Sequence, residues 1–155
     1  MALEQAVNVP ISQVRSREPI RVAPDTRIGD VVDMMHNGRT GAALVVDGRG
    51  ELVGIFTEHD LLRRADHDSN AWREQPVETM MTARPRIIHE DDTVAEALRR
   101  MHEGQHRHLP VVRGRIPVAV VSVRELLAHV ASNFPADFIN LPPDPDKEAR
   151  GPWGG

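Results

Sequence analysis

The chain repeats itself, and no other feature of the sequence limits the fold as much. Ile28-Gly-Asp-Val-Val-Asp-Met-Met35 aligns with Val94-Ala-Glu-Ala-Leu-Arg-Arg-Met101 at an offset of 66 (94 − 28). At that offset Asp25 meets Asp91, His36 meets His102, Gly38 meets Gly104, and Val45-Val46 meets Val111-Val112. A one-residue deletion near Gly50 changes the offset to 65, so that Thr57 meets Ser122, Asp60 meets Glu125, and Leu61-Leu62 meets Leu126-Leu127. An ordered, sustained match of this kind marks an internal duplication, which fixes the architecture before any local detail.

Each copy reads as strand, helix, strand, strand, helix. Ile20 to Val22 is a short extended run after Pro19. Ile28, Val31, Val32 and Met35 lie at i, i+3, i+4 and i+7, one face of a helix, and Val94, Ala97, Leu98 and Met101 repeat the spacing. Thr93 and Glu96 have capping-box spacing, and Gly38 and Gly104 stand where the helices should stop. Two strands joined by a tight turn follow in each copy, Ala43–Val46 with Leu52–Phe56 and Leu109–Val112 with Ile116–Val121. Short helices, Glu58–Ala65 and Val123–Ala131, complete the copies.

A copy with three short strands buries too little apolar surface to stand alone. The two copies are therefore expected to pack on each other about a pseudo-twofold axis. The sequence divides into a first repeat over 11–66, a polar linker over 67–77, a second repeat over 78–132 and a Pro-rich tail over 133–155. Within the tail, Asn133 to Leu141 has enough apolar content to dock.

Lys+Arg number 19 against 23 Asp+Glu, which argues against a nucleic-acid binder driven by bulk positive charge. The absence of cysteine removes disulfides, zinc ribbons and thiol catalysis and fits a reducing cytosol. No apolar run is long enough to cross a bilayer, and the N-terminus lacks a signal-like pattern, so a cytoplasmic chain without membrane contact is expected. The motifs Gly-x-Ser-x-Gly, His-Glu-x-x-His and Gly-x-x-x-x-Gly-Lys do not occur, so catalysis is not expected.

The duplicated pattern resembles a tandem pair of cystathionine-β-synthase (CBS) domains, a Bateman module. The first copy carries Gly54-Ile55-Phe56-Thr57-Glu58-His59-Asp60, similar to the family's Gly-x-x-Thr-x-x-Asp signature. The second carries His108-Leu109-Pro110-Val111-Val112, similar to its Arg/His-Leu-Pro-Val-Val strand, and Met80-Met81-Thr82 resembles the lead-in to a second copy. The resemblance spans about Ile11 to Ser132. It implies an α+β fold of two β-α-β-β-α repeats, and a regulatory module that binds an adenosine-containing ligand: AMP, ADP, ATP or S-adenosylmethionine. It further implies clefts between the copies, a homodimer, and an effector protein that receives the signal.

Carried onto this sequence, the resemblance gives Asp60 the ribose hydroxyls and Thr57 the support of that aspartate. The backbone of Ile20, Arg21 and Val22 would meet the base, and Arg107 or His108 the phosphate. Ser122 and Glu125 are the second copy's counterparts. Each copy departs from the pattern in one half: Gly41-Ala42-Ala43 offers no cation, and Ala119, Ser122 and Glu125 replace Gly, Thr and Asp. A complete site requires Asp60 to converge with Arg107 or His108 across the interface.

The residues also admit plainer readings. Thr57-x-x-Asp60 and Ser122-x-x-Glu125 have capping-box spacing and could simply start helices. His106 and His108 share a strand face as a metal pair would, but no further ligand is placed, and no metal is expected. Arg21 and Arg86 flank the first strands of the copies and could approach the cleft. The alternative function is a ligand-independent dimeric interaction module whose degenerate sites no longer bind.

Overall fold

The computed structural model describes residues 2–14 and 16–133, and the tail segment expected to dock lies largely outside them. The chain runs α1 (Ala2–Val7), β1 (Arg21–Val22), α2 (Ile28–Gly38), β2 (Ala42–Val46), β3 (Leu52–Thr57), α3 (Glu58–Arg64), β4 (Thr82–Ala83), β5 (Ile88–His89), α4 (Val94–Gly104), β6 (His108–Arg113), β7 (Ile116–Ser122) and α5 (Val123–Ser132). This is the mixed α and β duplication that the sequence implies. The helix α1 has no counterpart in the sequence reading.

The two long helices form where the apolar periodicity puts them. Ile28, Val31 and Met35 of α2 and Val94, Ala97 and Met101 of α4 are buried. Both helices end on the expected glycine, but the left-handed residue is the next one, Arg39 (φ 51°) and Gln105 (φ 54°). The Thr40 N–H donates to the Met35 carbonyl at 3.0 Å and that of His106 to Met101 at 3.0 Å, closing the two helix ends alike.

Two sheets result. The first has the order β1-β2-β3-β4, with β1 parallel to β2 and the others antiparallel. The second has the order β5-β6-β7, again with a parallel first pair. In the central strand β2, Ala43 and Val45 face the first core, while Ala42 and Leu44 face the other repeat. Alternate side chains point to opposite sheet faces, so a strand buried on both reads as a continuous apolar run. Ala42, Leu44 and Ile55, with Leu52 and Val120 against them, form the apolar seam between the repeats.

The repeats also exchange their leading segments. Ile11 and Val14 stand at the start of the first repeat yet are buried in the core of the second, with Ile88, Val94 and Leu126. Their counterparts Val77 and Met80 stand at the start of the second repeat and are buried in the core of the first. The backbone follows the same symmetry. Ile11 N–H donates to Asp92 O and Val77 N–H to Thr26 O, both at 2.8 Å, while Val94 N–H donates to Val9 O (3.0 Å) and Ile28 N–H to Gln75 O (2.9 Å). Each half therefore lacks part of its core until the other half supplies it.

The connector is structured. A 3-10 turn at Ala71–Glu74 lies on α2, where Arg73 pairs with Asp33 at 3.1 Å and its guanidinium stands 5.4 Å from the Trp72 ring centroid. Gly29 permits this approach, because a Cβ there would sit 3.1 Å from the Arg73 backbone oxygen. Trp72 packs against the first core, as an anchor would.

Candidate functional site

Thr57 ends β3 in an extended conformation and caps α3. Its Oγ accepts from the Asp60 N–H at 3.2 Å, and Asp60 Oδ2 accepts from the Thr57 N–H and hydroxyl, both at 3.0 Å. Thr82 of β4 donates its hydroxyl to Asp60 Oδ1 at 3.1 Å. Asp60 is only 4% exposed and is the one buried charged residue among those described. Three hydrogen bonds offset the cost of removing this carboxylate from water. The capping role inferred from spacing is therefore realised, and β4 supplies a partner that the sequence did not reveal.

The second copy has half of this arrangement. Ser122 Oγ accepts from the Glu125 N–H at 3.1 Å, but the longer glutamate does not reach back to the helix cap. Among the described residues, the buried Glu125 Oε2 has no hydrogen-bond partner. Burial pushes this carboxyl above its ordinary range, partly countered by hydrogen bonding at Ser122 and the charge of Arg17.

At the seam, the Glu58 N–H donates to the Gly41 carbonyl at 3.0 Å, and the Val123 N–H to the Arg107 carbonyl at 3.0 Å. His108 reaches across to the first of these junctions. A Cβ added at Gly41 would lie 3.4 Å from the Glu58 carboxyl carbon and 3.6 Å from His108 Cε1. Glycine thus leaves the room in which these two side chains approach. Burial pushes the His108 imidazole below its usual value, opposed by the charge of Glu58 and reinforced by that of Arg107. A cleft of about 430 Å³ opens beside the junction, lined by Met35, His36, Arg39, Thr40, Gly41 and Glu58.

The structure thus gathers Thr57, Asp60 and Thr82 at the first turn of α3, and brings His108 of the other repeat to Glu58 in the same turn. No hydrogen bond or ion pair joins Asp60 to Arg107 or His108, and the Arg107 side chain is exposed. Ile20, which packs at Gly38, runs into β1 with Arg21 and Val22. Strand β1 occupies the sheet edge opposite β4, and Ile20 O already accepts from the Leu44 N–H at 2.8 Å. Arg21 pairs with Glu18 at 2.9 Å and donates to the Pro117 carbonyl at 3.0 Å, bridging the repeats. Arg86 faces Glu103 at 3.9 Å. Beside Gly41, the cleft is lined by the Arg39 guanidinium and by His36 of the last turn of α2. Among the described residues, no three His, Asp or Glu side chains cluster as a metal site would require.

The CBS-domain family model matches residues 11–67 and 77–132. The chain belongs to the CBS-domain family. An uncharacterized 17.7 kDa protein of Acidianus ambivalens is 32% identical over 117 residues, covering 75% of this chain and 70% of that protein. The chain spans only 22% of the length of the longer Arabidopsis thaliana CBS-domain protein that it also matches. Among solved structures, the CBS pair of protein MJ0100, crystallised with 5′-methylthioadenosine and S-adenosyl-L-methionine, superposes with a TM-score of 0.73 at 21% identity, covering 82% of this chain and 99% of that one. CBSX2, crystallised with AMP, gives a TM-score of 0.69 at 20% identity, over 80% and 97% of the two chains. Both likenesses show the fold of a CBS pair. In this pair the CBS repeats keep unequal turns, one with a closed capping box and the other with an unpartnered carboxylate oxygen. No helix among the described residues is long and apolar enough to cross a membrane.

Proposed function

We propose that this CBS pair is a regulatory module that takes an adenosine-containing ligand at the first repeat's turn. The observation that carries the reading is the buried Asp60 carboxylate at the start of α3, with His108 arriving from the other repeat at Glu58. A carboxylate oxygen accepts more than one hydrogen bond, so Asp60 retains acceptor capacity for a ribose cis-diol beside its Thr57 and Thr82 partners. MJ0100 with its methylthioadenosine and S-adenosylmethionine, and CBSX2 with AMP, support the ligand class.

The charges in the cleft set a preference within that class. Arg39 favours an anion, but Glu58 opposes one, and His108 is driven toward its neutral form. A ligand with less negative charge than ATP, such as AMP or the cationic S-adenosylmethionine, fits better. The ligand acts through differential affinity for two arrangements of the repeats, and an effector protein reads the change. Leu62 of α3 and Leu127 of α5 are counterparts, 68% and 55% exposed, and give a second copy of the chain two related apolar contacts. Such a homodimer is expected in the cytoplasm, acting without catalysis.

Thermal unfolding with AMP, ADP, ATP, S-adenosylmethionine and NADH tests the ligand. A ligand that binds only the folded state raises the melting temperature by mass action. The reading expects a rise that Asp60→Asn abolishes. A rise that survives Asp60→Asn refutes the site, and no rise with any of them points to the ligand-independent dimeric module instead.

A further inference from the structure

The duplication places Arg64 and His129 at the same position of α3 and α5, at the offset of 65 (129 − 64). They do different things there. The Arg64 guanidinium donates to the carbonyls of Met80 at 3.1 Å and Met81 at 2.7 Å, tying α3 to the segment that leads into β4. His129 turns away and its Nε2 meets the Ala6 carbonyl of α1 at 3.2 Å. Where the guanidinium stands in the first repeat, the second has a cavity of about 370 Å³, lined by Gln13, Val14, Glu125, Ala128, His129 and Ser132.

Among the described residues, the groups around this cavity include two acceptors, Glu125 and Ser132, beside the amide of Gln13, which both donates and accepts. Glu125 contributes the buried Oε2 that lacks a partner. Val14 is the counterpart of Met80, whose carbonyl Arg64 holds in the first repeat. Ser132 gives its hydroxyl hydrogen to the His129 carbonyl at 2.8 Å and accepts from Asn133 Nδ2 at 3.5 Å, which leaves one lone pair to accept. The nearby cation Arg17 is anchored on the Gly38 and Arg39 carbonyls at 3.2 and 3.3 Å and does not hydrogen-bond to Glu125. An unsatisfied buried acceptor is costly, and a planar, donor-rich cation removes that cost most effectively.

We propose that the cavity beside Glu125 binds a small alkylguanidinium cation, whose head takes the place that Arg64 fills in the first repeat. The ligand is a free molecule of the agmatine or methylguanidine class. It pairs with Glu125 and is positioned by the Val14 carbonyl and the Ser132 hydroxyl. The site uses Glu125, the second copy's counterpart of Asp60, and takes a different ligand from the one proposed at Asp60. Burial raises the Glu125 carboxyl by more than Ser122 and the charge of Arg17 lower it, which agrees with a group that a closer cation would stabilise.

The test follows thermal unfolding of the full chain at neutral pH during titration with agmatine and with methylguanidinium chloride, against matched sodium chloride. A saturable rise of a few degrees at millimolar ligand is expected for the wild type, and none for Glu125→Gln. His129→Arg should reproduce the first repeat's arrangement, raise the ligand-free melting temperature and remove the response. His129→Ala, which keeps the cavity, should retain it. The proposal is overturned by an absent or non-saturating response in the wild type, or by an undiminished response in Glu125→Gln. Because Asp60→Asn leaves this response intact, failure here and failure at the adenosine site are read separately.

Discussion

Thr82 donates to Asp60 Oδ1 across 3.1 Å, and this one bond joins the edge strand that leads into the second repeat to the helix that ends the first. Asp60 is at once the return partner of the capping box, the anchor of β4 and the centre of the candidate site. Thr82→Val removes the donor but keeps the shape. It is expected to cost about 1–3 kcal/mol by leaving a buried carboxylate oxygen short of a partner. Asp60→Ala also loses the return bond of the capping box and should cost about 2 kcal/mol or more. Urea unfolding measures both, and a Thr82→Val variant as stable as the wild type contradicts the anchor.

Which parts of this arrangement were readable in the sequence depended on whether the signal was local. Helices α2 and α4 were plain because their apolar residues recur with the helical period, and each has a glycine at its end. The capping pairs were plain because both partners lie within one turn. Thr82 was hidden because it is 22 residues from Asp60 and belongs to a two-residue strand. The exchange of leading segments was hidden for a related reason. Ile11 and Val77 are merely apolar in sequence, and only the assembled pair decides which core receives them. The distance between residues 20–22 and Thr82 likewise depends on the strand order, which puts β1 and β4 on opposite edges.

Glu125 gives the chain an acid-side stability term. Its carboxyl is raised above the ordinary 4.5 by burial. The folded state therefore holds its proton at pH values where the unfolded chain has released it. The resulting stabilisation is full below 4.5 and disappears as pH rises through the folded value, so ionised Glu125 is a liability at neutral pH. Glu125→Gln should raise the melting temperature at pH 7 and flatten its change between pH 4 and 7. Differential scanning calorimetry across that range decides it, and a variant less stable than the wild type at pH 7 contradicts it.

His108 acts in the opposite direction. Its imidazole is lowered from 6.5, mainly by burial. The unfolded chain takes up the proton first as pH falls. The contribution to stability is thus present above 6.5 and is lost as pH drops toward the folded value. His108→Gln should reduce the loss of stability between pH 7 and 5.5. Chemical-shift titration of the His108 ring would give its folded value directly, and a value above 6.5 would show that Glu58 outweighs burial.

The reciprocal exchange predicts that damage in one repeat's sequence unfolds the other repeat's core. Ile11 is 3% exposed and packs with Ile88, Val94 and Leu126. Ile11→Ala should cost about 2–5 kcal/mol, as large-to-small changes in a close-packed core do. Its effect should appear first in the second repeat. Val77, fully buried with Ile28, Val31 and Phe56, is the mirror case and should loosen the first repeat when shortened to alanine. Native-state hydrogen exchange distinguishes the two. In Ile11→Ala the amides of α4 and β6 should lose protection ahead of those of α2 and β2, and in Val77→Ala the order should reverse. If each variant weakened the repeat that contains it in sequence, the exchange would contribute nothing to stability. The seam of Leu44, Ile55 and Val120, with cross-repeat bonds such as Arg21 to the Pro117 carbonyl, would then couple the halves.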